Sequence, residues 1–156
     1  MASEATEEVL AVRAPGSDVL ISTDASRLDL DMIHGFLAGS HWAAGIPREV
    51  VERAVRHSLC FGAYRGDRQV GFARVISDRA TYAYVSDVFV LPPERGQWVG
   101  GRLMAAIMAH TDLQGLRRWT LFTRDAHALY RRFGFGDARQ PDRLMEILTN
   151  PYAPAR

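Results

Sequence analysis

Apolar residues change their period near residue 58, and the change separates two kinds of element. Before it they recur every three or four positions. Leu28, Leu30, Ile33, His34 and Leu37 follow N-cap candidates between Thr23 and Ser26, which predicts a helix. Val50, Val51, Ala54 and Val55 follow Pro47, a residue suited to a first helical turn, and predict a second helix over Arg48 to His57. Beyond residue 58 come short runs rich in β-branched and aromatic side chains. Leu59 to Tyr64 and Gln69 to Ile76 flank Arg65-Gly-Asp-Arg68, a hairpin signal. Thr81 to Leu91 reads as one long strand. Val99, Leu103, Met104, Ile107 and Met108 place one apolar face on a helix from Val99 to His110. Leu116 to Phe122 predicts a strand. Arg124 to Phe133 predicts a helix, with Thr123 as N-cap and Gly134 as its stop. Asp18 to Ser22 and Arg143 to Leu148 supply a first and a last strand. The resulting order, β-α-α-β-β-β-α-β-α-β, implies one α/β domain over residues 17–150 with a mixed sheet. Residues 1–16 read as a flexible tail and 151–156 as a short C-terminal one.

Composition narrows the function classes. At 156 residues, 47% hydrophobic and 24% charged, the chain is of ordinary globular make-up. A net charge of +1 argues against a nucleic-acid or anionic-membrane partner. Every basic residue is arginine, so neither a P-loop lysine nor a Schiff-base lysine is available. The single cysteine, Cys60, cannot close an internal disulfide, which suits a reducing compartment. No stretch reaches the roughly 18 apolar residues of a membrane span, and the acidic N-terminus lacks a signal-peptide pattern. The expectation is a cytoplasmic protein. No His-Glu-x-x-His, cysteine pair or clustered ligand set points to a metal.

The most informative stretch runs from Leu91 to Met108. A strand ends in a proline turn, a glycine-containing loop follows, and an amphipathic helix begins. Such a junction presents unpaired backbone N–H groups at a helix N-terminus, where the orphan donors and the helix dipole both favour phosphate. Asp87-Val-Phe-Val-Leu-Pro-Pro-Glu-Arg-Gly-Gln-Trp-Val-Gly100 resembles the acetyl-CoA loop of the GNAT superfamily of N-acetyltransferases, written Arg/Gln-x-x-Gly-x-Gly/Ala. About 30 residues later, Tyr130-Arg-Arg-Phe-Gly-Phe135 resembles that family's Tyr-x-x-x-Gly-Phe. The strand and helix order fits the family from Ser17 to Leu148. Two positions depart from the pattern. Trp98 stands where the first signature glycine is expected, and Thr123 replaces a common asparagine.

The resemblance implies a GNAT-like fold with a mixed, mostly antiparallel sheet flanked by helices. It implies an acyltransferase that moves acetyl from acetyl-CoA to an amine, with a small molecule as the expected acceptor. Tyr130 is then the candidate acid for the leaving thiolate, and Asp87 the candidate base, directly or through water. Phe89 and Val90 lie beside the pantetheine arm, with the Val90 N–H as oxyanion donor. Arg95, Gly96, Gln97, Trp98, Val99, Gly100, Gly101, Arg102 and Thr123 form the acetyl-CoA contacts. His41 and Trp42, in the loop between the first two helices, and His127 are candidates for the acceptor side. Each has a plainer reading as well: Asp87 as a hydrogen-bonded strand-end residue, Trp42 as a plug between helices, His127 as a surface residue. A bulky indole at position 98 keeps its N–H in place if φ is negative and the ring points away; otherwise it crowds the pyrophosphate. The alternative reading is therefore a GNAT-fold acyl-CoA-binding or regulatory module with weakened catalysis. A homodimer, formed through an edge strand near the C-terminus, is a further expectation.

Overall fold

The computed structural model describes residues 9–152. Six strands form one sheet in chain order: β1 (Ala11–Arg13), β2 (Val19–Ser22), β3 (Leu59–Arg65), β4 (Arg68–Ser77), β5 (Tyr82–Val90) and β6 (Arg118–Leu121). Neighbours are antiparallel up to β5. The last pair, β5 and β6, is parallel because helix α3 (Val99–Ala109) crosses over between them. Helices α1 (Leu30–Ala38) and α2 (Arg48–Arg56) lie between β2 and β3 in the chain, and the short α4 (His127–Arg131) follows β6. The fold is the expected α/β one, a single mixed sheet with helices on both faces.

Each face buries its own core. Val19, Ile21, Phe61, Ala63, Val75, Val85, Leu103, Met104 and Ile107 pack between the sheet and α3. Ile33, Leu37, Val51, Cys60, Phe72 and Phe89 pack between the sheet and α1 with α2. A strand sends alternate side chains to opposite faces, so Ala83 and Val85 would place Phe89 on the α3 side as well. It lies on the other side. The register runs Phe72↔Phe89 and then Arg74↔Ser86, so Asp87 and Val88 together oppose Ala73. Asp87 has φ 51, and this β-bulge shifts the alternation by one residue. Phe89 consequently turns to α1 and stacks on Phe36 at 3.9 Å. Val88 and Val90 turn to α3.

Three expectations need correcting. Ala11–Arg13, inside the supposed tail, pairs with β2; residues 1–8 lie outside the described range. The pairing is fastened where the Leu10 N–H donates to Thr23 Oγ1 at 2.8 Å. The helix expected over residues 124–133 is regular only from His127 to Arg131. Arg143 to Leu148 forms no strand: a 3₁₀ turn at Pro141–Arg143 leads into irregular, exposed chain. Among the described residues, no helix is long and apolar enough to cross a membrane.

Candidate active site

The parallel ladder of β5 and β6 stops at Val85↔Leu121, where the chain leaves β6 for α4. Beyond it, β5 continues to Val90 with one edge unpaired. The direction of its last N–H groups follows from the ladder. Leu91 donates to Val70 O of β4 at 2.9 Å, so by alternation the Val90 N–H and C=O point to the open edge. Arg95 marks the same edge, its Nε donating to Val90 O at 3.1 Å.

Three elements converge on this opening at Gly100. A Cβ added there would lie 3.8 Å from Leu129 Cδ2 of α4 and 3.8 Å from Val90 Cγ2 of β5. The N-terminus of α3 therefore sits between the end of β5 and α4. It has no side-chain cap and no acidic residue in its first turn, so its orphan N–H donors and dipole are available to an anion. Arg102 adds positive charge beside it and makes a long contact of 3.5 Å to Gln97 O. Val99 is buried and anchors the turn to the core, and Gly96 (φ 79) shapes the loop before it.

Trp98 does not have the negative φ that one of its expected geometries requires. Its φ is +61, the left-handed conformation that a glycine adopts without strain. The indole packs on the first turn of α3. It lies flat against the side of Gly101, where an added Cβ would come within 1.9 Å of Trp98 Cε2. Phe133 stacks on it at 6.4 Å, and the Arg132 guanidinium sits 4.9 Å from the ring. The ring thus wedges α3 to the end of α4, and Gly101 is the gap that admits it.

A charged cluster unforeseen from the sequence fixes the loop. Glu94 is almost fully buried in the turn Pro92–Glu94. Its carboxylate accepts from Arg65 Nη2 at 2.8 Å and Arg68 Nη2 at 2.9 Å, the two arginines that bracket the β3–β4 turn. Arg65 also pairs with Asp18 and donates to Gln97 Oε1 at 3.0 Å. The Arg65 hydrogen bond holds the Glu94 carboxyl below its usual pKa. A lowered carboxyl pKa stabilises the fold above the ordinary carboxylate range, and that stability is lost as pH falls through the native value. Glu94→Gln is expected to lower Tm by about 5 °C at neutral pH and to flatten the loss of Tm on acidification, checked by thermal melts from neutral to acid pH.

Tyr130 is buried on α4, with its ring 6.0 Å from Phe135. Burial, and secondarily the nearby Asp125 charge, push its pKa above that of a free phenol, so it stays a proton donor at neutral pH. Thr123 caps the turn that starts α4, its Oγ1 accepting from Ala126 N at 3.0 Å.

In the α1–α2 loop, Trp42 Nε1 donates to Asp87 Oδ1 at 2.9 Å, across 45 residues of sequence. Asp87 Oδ2 accepts from Arg74 Nε at 2.8 Å. Arg74 in turn donates to Ser58 and Ser86 hydroxyls. Both Asp87 oxygens are thus engaged. Asp87 ties the α1–α2 loop to the bulge of β5. His41 rests edge-on against Trp42 at 5.0 Å, and Trp42 leans on Phe36 at 6.3 Å. His41 and His127 are exposed, and His127 begins α4 apart from that loop. Among the described residues, no group of His, Cys, Asp and Glu could hold a metal.

A family model for the acetyltransferase (GNAT) domain matches residues 56–136, the span that carries β3 to α4. A Gibberella zeae protein named as an acetyltransferase is 34% identical, over 83% of this chain and 86% of its own. The chain belongs to the GNAT acetyltransferase family. A crystal structure of a Xanthomonas campestris pv. campestris protein, named as a GNAT-family acetyltransferase, superposes on this acyltransferase with a TM-score of 0.85. That pair is 53% identical over 87% of this chain and 97% of the other. A Clostridium acetobutylicum acetyltransferase solved with acetyl-CoA shares the fold at a TM-score of 0.58 and 12% identity, covering 78% of this chain and 92% of its own.

Proposed function

We propose that this GNAT protein is a cytoplasmic N-acetyltransferase that takes acetyl from acetyl-CoA and delivers it to the amine of a small molecule. The observation that carries the reading is the open edge of β5, with the Val90 N–H directed into it beside the uncapped N-terminus of α3. Acetyl-CoA fits such a site: the α3 donors with Arg95 and Arg102 suit a pyrophosphate, and an unpaired strand edge suits the amides of a pantetheine arm. The Clostridium acetobutylicum relative solved with acetyl-CoA supports the same choice of donor.

Acetyl-CoA supplies an acetyl group already activated as a thioester. The Val90 N–H then donates to the carbonyl oxygen as negative charge develops on it. Tyr130 donates its hydroxyl proton to the departing sulfur, as a neutral phenol can at physiological pH. The amine must arrive without its proton, although a free alkyl amine has a pKa of about 10.4. Asp87 is held by Arg74 and Trp42, so we assign this proton to water and assign Asp87 to positioning Trp42. Trp42 and His41 form the aromatic side of the acceptor approach, where a cationic amine is favoured before it deprotonates. His127 lies on the rim.

The Trp98 ring packs against Gly101 and Phe133, which supports the enzyme over the regulatory module. Titration calorimetry with acetyl-CoA tests the reading. We expect a Kd on the order of micromolar, a binding free energy of about −8 kcal/mol, followed by CoA release when amines are added. Wild type that binds no acetyl-CoA, with binding restored in Trp98→Gly, would give the module reading the lead.

A further inference from the structure

The sheet face that packs on α1 and α2 is covered only in part, and its uncovered part is aromatic. Before the bulge, Ala83 and Val85 of β5 face α3, so Tyr82, Tyr84 and Ser86 face the α1–α2 side. Tyr84 pairs with Thr120 of β6, and Phe122, two residues further on, meets the Tyr84 ring edge-on at 6.1 Å. Phe122 is 67% exposed although it directly follows a strand of the sheet. It stands where the β5–β6 ladder ends, at the mouth of the open edge that leads to Val90.

A second aromatic group borders the same ground. Trp42, 46% exposed, reaches Asp87 from the α1–α2 loop and carries His41 and Phe36 against its ring. Asp87 is also close to Tyr84: burial first, and then the Asp87 charge, hold the Tyr84 phenol above its usual pKa. Trp42 with His41 and Tyr84 with Phe122 thus border one carboxylate. That carboxylate is no free counter-ion for an ammonium group, because Arg74 Nε donates to one oxygen at 2.8 Å and Trp42 to the other. Beside the Arg74–Asp87 pair, the gap lined by Leu37, Val51, Val55 and Phe72 holds about 20 Å³, room for a single water. The body of an acceptor therefore rests on the aromatic surface and not beneath the helices.

We propose that the acceptor is a monoamine carried on a flat aromatic group, an arylalkylamine, whose ring lies against Phe122 and Tyr84 while its ammonium approaches over the Trp42 indole. The inference rests on the acetyltransferase reading and narrows its acceptor. Ring against ring buries apolar area in a preferred geometry, and the indole face attracts the cation without a carboxylate. A polyamine would leave its second charge against an apolar wall with no free acid to meet it.

Release of CoA is measured with 2-phenylethylamine, n-butylamine and 1,4-diaminobutane, beside calorimetry with acetyl-CoA alone. The kcat/KM for 2-phenylethylamine is expected to exceed that for either aliphatic amine by at least about tenfold. Phe122→Ala should raise the KM for 2-phenylethylamine about tenfold, with the Kd for acetyl-CoA changed less than about twofold, and Phe122→Tyr should restore that KM. Phe122 is largely in solvent, so both variants should keep the wild-type thermal midpoint. A protein that binds acetyl-CoA but acetylates an aliphatic amine as well as 2-phenylethylamine, or acetylates none of the three, overturns the arylalkylamine inference and leaves the acetyltransferase reading standing. So does an unchanged KM for 2-phenylethylamine in Phe122→Ala. A wild type that binds no acetyl-CoA sinks both.

Discussion

Tyr130→Phe will lower kcat about 100-fold while changing the KM for acetyl-CoA less than about twofold. A thiolate leaves more easily when a proton reaches it, and Tyr130 stands on the helix whose Leu129 meets the end of β5 at Gly100. Burial raises the phenol pKa, so the donor is protonated throughout the neutral range. The sign matters for the pH profile. A raised pKa moves the alkaline loss of the acid upward, so no fall in kcat below about pH 10 should trace to Tyr130. Phenylalanine keeps the ring against Phe135 and removes only the hydroxyl, so stability should change by less than about 1 kcal/mol. Steady-state kinetics at several pH values, beside a thermal melt, check all three statements. An unchanged kcat would remove Tyr130 from the acid role.

Much of the fold was legible because its elements obey simple periods. Helix α3 shows its apolar face every third or fourth residue, and β5 is a run of aromatic and β-branched side chains. What was not legible depended on long-range choices. Tyr82 to Val90 is apolar at most positions on both faces, so the one-residue slip at Asp87 leaves no trace in its pattern. That slip decides that Phe89 meets Phe36 and that the Asp87 carboxylate meets Trp42. Glu94 reads as a loop acid; only the fold brings Arg65 and Arg68 around it, from 29 and 26 residues earlier. A strand signal at 143–148 reports side-chain preference, and no strand of the sheet meets it among the described residues. Local sterics favour a negative φ at Trp98, and stacking on Phe133 overrides them.

That override makes Gly101→Ala the second large effect we expect. A methyl group at residue 101 would lie 1.9 Å from Cε2 and 2.3 Å from Cζ2 of the Trp98 indole. These are atoms of a rigid ring that also packs against Phe133 and Arg132, so the ring has to leave its groove. The cost should be about 2–3 kcal/mol, read as a lower midpoint in denaturant melts. Displacing the ring also weakens its bond between α3 and α4 beside the α3 donors, so acetyl-CoA affinity should fall at least about tenfold. Trp98→Gly alone should be mild, because it relieves a left-handed tryptophan worth roughly 1–2 kcal/mol of strain while losing the stack. The decisive comparison is the double variant. With the indole gone, a methyl at residue 101 meets no ring, so Trp98→Gly with Gly101→Ala should be more stable than Gly101→Ala alone, with a coupling energy of about 1–3 kcal/mol. Simple additivity across the cycle would mean that the tryptophan does not occupy the space that Gly101 leaves.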